Sequence, residues 1–474
     1  MTRKMLFCLL VLLIFFISLI KAQKISISEP MPFKGGDNFD ILGQVNGYSY
    51  LSSISNSNLQ LYRMDKDLSN LRIKDLKLPE RRAELLFTCI YKQMIYTLYS
   101  YRQKAELCYK LWIFDSNLDL QDSITLSCID KQAYNPSIKI IASEDKSSLL
   151  IYYQYLDVYI QFFAVDLNTK SVIWKYNWDF NLEHKDSQDL LKILYDNNRR
   201  VSLIFNDVKQ HIKNTQQYNI FCLSRTGVIN NNIMMHNIEI YNADWFIDNN
   251  NSTLLLLGSY FTDNRNKAKG VLFGSVSIGT QDSLYFKTNE FKTEWLVPVI
   301  AEKEKVDKNL NDFHLNDLIL KRAGGVVIIL ENQKEIERTI PGRNINIDGI
   351  GRNIVDYYYN DILVISLDKF GNIEFTTPLF KKQFSQDDDA DYSSYLLNKS
   401  SDYLRLIYND EIENENTISQ YLVDAYGKTI RQSILNTDYR KLKMMFKFGK
   451  QVGTNTCLIP SYYRNKIKMV KMEF

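Results

Sequence analysis

Glycine and proline are scarce in this chain, whose 474 residues include 18 Gly and 8 Pro. All-β folds with many tight turns are often rich in glycine, so this low count weighs against them. Asparagine can supply the turns instead, because it tolerates the left-handed backbone region. Runs of asparagine occupy positions 197–198, 230–232 and 249–251. The chain therefore keeps the means to make tight turns.

Sequence motifs that mark common enzyme classes are absent. The four histidines, His184, His211, His236 and His314, form no HExxH motif, and the chain contains no GxSxG, P-loop or GxGxxG. These absences argue against zinc proteases, α/β-hydrolases and nucleotide-dependent enzymes. We therefore name no catalytic and no cofactor-binding residue from the sequence.

Cysteine is also rare, with six residues and no CxxC pair for metal or redox chemistry. Cys8 lies in the apolar N-terminal run, and an odd number of five remains after it. Cys108 and Cys128 flank a predicted hairpin centred on Ser116-Asn117 at matching distances, so a disulfide between them is geometrically feasible. The alternative is that both are small buried hydrophobes in strands.

Only one long apolar run is present, from Met5 to Ile20. Arg3 and Lys4 precede it and Lys21-Ala22-Gln23 follows, which is typical of a signal peptide cleaved after Ala22. We expect residues 1–22 to be this signal and residues 23–474 to form a single exported domain, in the periplasm, the cell envelope or the medium. An uncleaved N-terminal anchor is the alternative, and we expect no membrane span after cleavage.

Charge is balanced once the signal is set aside. Its three basic residues leave 55 basic against 55 acidic side chains in the exported chain. A nucleic-acid-binding surface normally carries a basic stripe, and none is apparent. We therefore expect no nucleic-acid partner.

An apolar strand followed by Asp or Ser and a short turn recurs seven times. The polar residue stands at 65, 115, 166, 224, about 277, 368 and 424, so all spacings but one lie near fifty residues. A strand-based repeat of this length predicts an all-β fold, a β-propeller of four-stranded antiparallel blades. The Asp residues are predicted to build turns by accepting backbone N–H bonds.

The two ends of the chain set the number of blades. The last strand, Lys466 to Phe474, lacks an outer partner, and Lys24 to Ser28 could provide it by joining the same blade. This closure favours eight blades, with seven as the alternative. The one long spacing predicts a partly helical insertion at about 296–355. There Pro298 to Phe313 has a helical pattern and Thr339 to Asn353 reads as a mobile loop.

The segment Asp387-Asp388-Asp389-Ala390-Asp391 is the sharpest local feature. Asp387, Asp389 and Asp391 alternate as calcium ligands in loops often do, and calcium is the one cofactor that the sequence suggests. The segment lacks a glycine at the turn and a closing glutamate. A solvated acidic loop is the alternative.

The stretch Val364 to Phe375, with its Val-Ile-Ser-Leu-Asp-Lys-Phe-Gly-Asn-Ile-Glu-Phe pattern, and the segment Lys382 to Asp388 resemble uncharacterised secreted β-propeller-like proteins of Bacteroidota. The export signal adds to this resemblance. It implies an extracytoplasmic setting and supplies no activity.

Two classes of function remain open. The first is a binding or scaffolding module without catalytic activity, in which the loops of one propeller face hold a protein or a glycan. The second is a carbohydrate-active hydrolase or lyase with its site at the central channel, which requires polar residues from several blades to converge there. Residues 296–355 are the first place to look for either.

Overall fold

The computed structural model describes most of the predicted propeller domain. The described residues are 23–31, 38–55, 58–78, 82–104, 106–130, 137–156, 158–180, 188–207, 215–236, 238–261, 268–282, 284–295, 311–340, 352–410, 412, 417–436, 442–463 and 466–474. The predicted signal peptide, His184 and His211 lie outside them. No helix within these ranges is long and apolar enough to cross a membrane.

Eight antiparallel sheets form a ring, which confirms the predicted eight-bladed β-propeller over the seven-bladed alternative. Each blade is a four-stranded meander in which consecutive strands pair. The first strand of the chain, β1 (Lys24–Ile27), belongs to blade 8. Blade 1 contains β2 (Asn38–Val45), β3 (Tyr48–Ser55), β4 (Asn58–Met64) and β5 (Leu71–Lys77). Blade 2 contains β6 (Glu84–Tyr91), β7 (Met94–Gln103), β8 (Glu106–Phe114) and β9 (Leu120–Asp130). Blade 3 contains β10 (Ile138–Ala142), β11 (Ser148–Tyr155), β12 (Tyr159–Asp166) and β13 (Ser171–Asp179). Blade 4 contains β14 (Gln188–Tyr195), β15 (Val201–Asp207), β16 (Thr215–Ser224) and β17 (Gly227–His236).

The remaining four blades complete the ring. Blade 5 contains β18 (Glu239–Asp248), β19 (Thr253–Phe261), β20 (Gly270–Ser277) and β21 (Tyr285–Glu290). Blade 6 contains β22 (Phe313–Leu320), β23 (Val326–Ile340), β24 (Arg352–Leu367) and β25 (Ile373–Leu379), with β26 (Gln383–Gln386) added to β24. Blade 7 contains β27 (Tyr395–Lys399), β28 (Leu404–Asn409), β29 (Thr417–Val423) and β30 (Thr429–Asn436). Blade 8 contains β31 (Lys450–Gly453), β32 (Thr456–Tyr463), β33 (Lys466–Glu473) and β1 (Lys24–Ile27).

The N-terminal strand closes the ring, as the sequence predicts. β1 pairs with β33 in antiparallel register from Lys24 opposite Glu473 to Ile27 opposite Val470. Beyond the strand, the Ser28 N–H donates to the Met469 carbonyl at 2.9 Å. Blade 8 is therefore built from both ends of the described chain, and its last strand is not left as an exposed edge.

The first strand of each blade lies at the centre of the ring. First strands of neighbouring blades contact one another, as β2 does with both β6 and β31. Six of these innermost strands carry a β-bulge against their second strand. A bulge bends a strand and increases its twist, which fits these strands around the axis. In blade 6 the extra residue is Asn316, between Leu315 and Asp317.

The repeated Asp residues build turns, as predicted. In five of the repeats one carboxylate oxygen accepts the N–H of the residue two positions later, at 2.7–3.2 Å. The five residues are Asp65, Asp115, Asp166, Asp368 and Asp424. These five hairpins all form the third turn of a blade, so the spacing of their Asp residues reports the blade spacing directly.

The predicted partly helical insertion is wrong for the residues that the structure describes. Residues 296–310, which hold most of the predicted helix, lie outside them, and Phe313 begins strand β22. The additional length of blade 6 goes instead into a long hairpin, in which β23 and β24 pair from Gln333 opposite Tyr359 to Ile340 opposite Arg352. Residues 334–339 of β23 are exposed, whereas Ile354, Tyr357 and Tyr359 on β24 are buried, so the buried side chains of this hairpin lie on β24.

Cys108 and Cys128 form a disulfide, so the feasible pairing is the one found. They stand directly opposite each other on β8 and β9 with Cα atoms 4.0 Å apart. Cys89, Cys222 and Cys457 are buried free thiols. Tyrosines also fill the core: Tyr50, Tyr62, Tyr99, Tyr109, Tyr153 and Tyr408 are fully buried.

Ring closure should make a measurable contribution to stability. Ile25 and Ile27 on β1 pack against the core of blade 8 and are partly buried. Changing both to Ala should therefore lower the free energy of unfolding by about 2 kcal/mol, which is less than the loss expected for two fully buried isoleucines. Lys24→Ala, which removes only exposed ion pairs, should cost much less than the double change. Urea unfolding measures both. Equal values for the two variants would contradict closure through β1.

The first Asp turn should give acid-dependent stability. Burial raises the pKa of Asp65, but hydrogen bonds from Ser69 and Asn70 outweigh it and lower this pKa to about 2. A folded-state pKa below the unfolded value stabilises the fold above about pH 4, and the contribution is lost as the pH falls toward 2. Asp65→Asn should therefore cost stability at pH 6 and progressively less toward pH 3. A constant difference in urea midpoints across this range would refute the assignment.

Candidate functional site: a polar cavity where blades 6, 7 and 8 meet

A cavity of about 620 Å³ opens beside the innermost strands of three consecutive blades. We call it the blade 6–8 cavity. Its lining comes from residues far apart in the chain. Blade 6 contributes Asn316, Asp317, Gln333 and Tyr359; blade 7 and the segment before it contribute Ser394, Tyr395, Leu396, Leu397 and Lys399; blade 8 and the segment before it contribute Phe446, Lys447, Gly449, Lys450 and Gln451.

A fully buried ion pair lies behind the blade 6 wall. The Lys381 ammonium is 2.8 Å from a Glu331 carboxylate oxygen, and both side chains are 0% exposed. Lys381 also donates to the Tyr359 carbonyl at 2.8 Å and to the Gln383 amide oxygen at 2.6 Å. Two of the ammonium hydrogens thus have hydrogen-bond acceptors, and the contact with Glu331 is an ion pair without full hydrogen-bond geometry. Burial lowers the pKa of Lys381, and the neighbouring Glu331 opposes this change.

The other Glu331 oxygen faces the cavity wall. It accepts hydrogen bonds from the Asn316 amide, from Gln333 at 2.9 Å and from the Ser394 hydroxyl at 2.7 Å. The β-bulge in β22 is what places Asn316 within reach of Glu331. A buried carboxylate with this many donors is well satisfied, so the pair fixes the position of three lining residues.

Buried amides tie the three blades together around this pair. Gln383 donates to the Asn409 carbonyl of blade 7 at 2.7 Å, and Asn409 donates to the Met444 carbonyl before blade 8 at 2.8 Å. On the far wall, the Gln451 amide accepts from the Lys399 N–H at 2.9 Å and donates to the Lys399 carbonyl at 2.8 Å. These bonds hold the wall in one arrangement.

Two titratable groups face each other in the cavity. Burial raises the pKa of Asp317, while Tyr395 and Lys399 act to lower it. Burial also raises the pKa of Tyr395, and the nearby Asp317 adds to this effect. Tyr395 is 6% exposed, and its hydroxyl lies close to Asp317 and Asn316 without a partner of full hydrogen-bonding geometry within the described part of the chain. Such an unsatisfied buried hydroxyl is costly and marks a place where a ligand could supply the partner.

The three predicted calcium ligands each make different contacts. Asp387 accepts the Val355 N–H at 3.0 Å and extends the pairing of β26 with β24. Asp389 lies 3.5 Å from the Tyr357 hydroxyl. Burial raises the pKa of Asp391, Lys447 opposes this effect, and Asp388 and Asp389 reinforce it.

The acidic segment does not assemble three carboxylates within the described residues. The one group of three or more candidate ligands whose atoms lie within 4.8 Å of one another is Glu106 with Cys108 and Cys128, and these two cysteines are joined as a disulfide. Asp387, Asp389 and Ala390 instead adopt positive φ angles of 49–56°, which shape the loop over Tyr357 and Tyr359. Calcium binding by this loop stays a prediction.

Residues 296–355, which the sequence marks as the first place to look, include Asn316, Asp317, Glu331 and Gln333. The contributions of blades 7 and 8 to the cavity were not predicted from the sequence. Of the remaining histidines, His236 ends β17 and His314 lies in β22. A signal was present: Glu331 directly follows the buried apolar run Val326 to Leu330, where a charge needs a partner.

No protein-family model and no curated protein matches the chain. Solved structures with similar folds include the Dos1 propeller, at 9% identity and a TM-score of 0.43, covering 94% of each chain. The β-propeller domain of the Trilobed protease from Pyrococcus furiosus is similar at 11% identity and a TM-score of 0.35, with 87% of this chain and 99% of that one covered. An oligogalacturonate lyase in complex with manganese is similar at 9% identity and a TM-score of 0.36, over 84% and 98%. At these TM-scores the similarities carry no argument about function.

The buried Glu331–Lys381 pair should contribute more to the free energy of unfolding than the exposed pair of Lys269 with Glu290. Lys381→Met leaves the Glu331 charge buried without its partner and should cost about 3–5 kcal/mol of unfolding free energy. The double variant Lys381→Met with Glu331→Gln should recover part of this loss. Lys269→Met, which breaks an exposed pair with Glu290, should cost much less than Lys381→Met. Urea unfolding of the four proteins tests this order, and a double variant weaker than Lys381→Met would contradict it.

Proposed function

We propose that this chain is an exported propeller that binds a polar ligand, a glycan, in the blade 6–8 cavity. The observation that carries the proposal is the Tyr395 hydroxyl, which is buried at the wall of the cavity and makes no hydrogen bond of full geometry there, while Glu331 fixes neighbouring polar groups of the wall. A volume of about 620 Å³ lies within the range of small-molecule sites.

Several features support a glycan as the ligand. The cavity presents the amides of Asn316, Gln333 and Gln451 beside the Tyr359 and Tyr395 rings. Amides and hydroxyls hydrogen-bond sugar hydroxyls, and aromatic side chains offer an apolar surface next to a polar tip. The apolar residues of the wall, Leu396 and Leu397, are at most 9% exposed and leave little surface for apolar side chains of a peptide.

Export is supported by the sequence and by the disulfide. The apolar run Met5 to Ile20 has the flanks of a signal peptide. Disulfides such as Cys108–Cys128 persist mainly in oxidising compartments. Both features favour a periplasmic, envelope or extracellular setting.

A carbohydrate-active enzyme is the second candidate, and one observation favours it. Asp317 is a partly buried carboxyl with a raised pKa on the same cavity wall as Tyr395. Carboxyls tuned in this way serve as proton donors in glycan cleavage. Chromatography of the glycans after incubation with the protein distinguishes the two candidate functions, because only an enzyme shortens the glycan chains.

Tyr395→Phe provides the sharpest test of the binding site. Removing an unpartnered buried hydroxyl should leave the melting temperature unchanged or slightly raised. The same change should weaken glycan binding about tenfold, since the ligand loses its hydrogen bond. Calorimetric titration with a panel of neutral and acidic oligosaccharides measures the affinity.

Tyr109→Phe is the matched control. Its hydroxyl is also buried and unpartnered, but it lies in the core shared by blades 2 and 3. The control should bind as the original chain does. A panel without any binder would overturn the proposed function, and so would an equal loss of affinity in both variants.

A further inference from the structure

One outer strand of the ring lacks the residues that usually protect an exposed sheet edge. β17 is the outermost strand of blade 4, and within the described residues it pairs only with β16. Natural sheets protect such edges with charged residues or proline. β17, with the sequence Gly-Val-Ile-Asn-Asn-Asn-Ile-Met-Met-His, contains no Lys, Arg, Asp, Glu or Pro. The outer strands of the other blades each contain at least one of these residues: Arg72 in β5, Asp122 in β9, Lys175 in β13, Lys287 in β21, Pro378 in β25, Arg431 in β30 and Lys24 in β1.

Apolar side chains of β17 are also exposed. Val228, Ile229 and Met234 are 38%, 37% and 43% exposed. Ile233 and Met235, in contrast, are buried in the core that blades 4 and 5 share, and they hold the strand in place. β17 is therefore anchored by the core while it presents an uncharged edge flanked by apolar side chains.

The hairpin that leads into β17 determines which of its backbone groups point away from the sheet. The hairpin loop has two residues, so Ser224 and Gly227 face each other as a hydrogen-bonded pair. Hydrogen-bonded pairs alternate along an antiparallel ladder. The even-numbered residues of the range 228–234 therefore direct their N–H and C=O groups away from β16. These groups are the donors and acceptors that an added antiparallel strand requires.

The sequence of β17 is complementary to a second copy of itself. Two copies can pair antiparallel about a two-fold axis at Asn231, and every pair then joins residues of the same kind, amide with amide and apolar with apolar. No like charges meet, because no residue from 227 to 235 is charged. The outward backbone groups of the even-numbered residues also lie opposite one another in this register. The opposed pairs are Asn230 with Asn232, Val228 with Met234 and Ile229 with Ile233.

We propose that this chain forms a symmetric dimer in which the β17 strands of two copies pair antiparallel, so that two blade 4 sheets become one sheet. A two-fold dimer requires a surface that is complementary to itself, and β17 provides one about Asn231. A single strand pair buries less area than the interfaces of stable dimers, so we expect a dissociation constant between about 1 and 100 µM. Dimerisation is independent of glycan binding, because β17 contributes no residue to the lining of the blade 6–8 cavity.

Charge variants of the strand test the dimer. Sedimentation velocity of residues 23–474, at concentrations from about 1 to 200 µM, measures the dissociation constant. Asn230→Lys combined with Asn232→Lys places Lys opposite Lys at two positions and should raise the dissociation constant at least about tenfold. Asn230→Lys combined with Asn232→Asp is the matched control, because it places each Lys opposite an Asp and should keep the dimer. Both variants lose the same hydrogen bond between Gln217 and Asn232, so their monomers should have similar melting temperatures.

Cysteine cross-linking tests the register. Asn231→Cys places two thiols on the axis, where facing Cα atoms lie about 4.5 Å apart, within the range of a disulfide. Oxidised glutathione should therefore convert this variant into a covalent dimer. Asn230→Cys is the control, because its two copies are diagonal neighbours about 7–8 Å apart and should link at least about tenfold more slowly.

The outcomes separate the dimer from its register. A monomer at every concentration overturns the proposal, and so does a dimer that the double Lys variant leaves unchanged, because its interface then lies elsewhere. Equal loss of association in the Lys–Lys and Lys–Asp variants also overturns it. Faster cross-linking of Asn230→Cys than of Asn231→Cys overturns the register about Asn231. A dimer that only the Lys–Lys variant weakens, with cross-linking at position 231, supports both.

Discussion

Closure of the ring is the constraint on which the rest of the structure depends. Eight sheets meet through their first strands, and each of those strands must bend to fit around a common axis. The pairing of Lys24–Ile27 with Lys466–Glu473 completes the eighth sheet and so removes the last open position. Bulges in six innermost strands accommodate the crowding at the axis. In blade 6 this accommodation turns Asn316 toward the cavity, so the geometry of the site follows from the geometry of closure.

The site is held by a buried charge pair rather than by apolar packing. Two charges removed from water are stable only when further hydrogen bonds satisfy them, and Glu331 and Lys381 have those bonds. The side chains that hydrogen-bond to the pair are therefore held in place and cannot rearrange. The Tyr395 hydroxyl and the lone pairs that the lining amides do not use for these bonds are then the groups that a ligand can engage. A wall fixed in advance loses less conformational entropy on binding, which favours affinity.

Much of the fold could be predicted from the sequence, because its signals are local. An Asp that builds its own turn repeats once in each of several blades. A hairpin with Cys108 and Cys128 at similar distances from its centre made a disulfide feasible, with two buried hydrophobes as the alternative. The unpaired last strand likewise predicted its N-terminal partner. The extra length of blade 6 was not assigned to strands, because Gln333–Ile340 is rich in charge and lacks the apolar–polar alternation of a half-buried strand. The cavity could not be predicted in the same way. Glu331 and Lys381 are fifty positions apart, and the lysines of the wall belong to other blades, so only the ring brings them together.

The central claim is that a ligand binds where blades 6, 7 and 8 meet. Hydrogen–deuterium exchange of residues 23–474, with and without a saturating concentration of a glycan that binds in the titration panel, tests it most directly, because amides near a bound ligand open less often. The account predicts slower exchange in Phe313–Leu320, Tyr395–Lys399 and the segment from Phe446 to Gly453, with no change in blades 2, 3 and 4, which contribute no residue to the cavity lining. Protection that falls on those three blades, or is spread evenly over all eight, would contradict it.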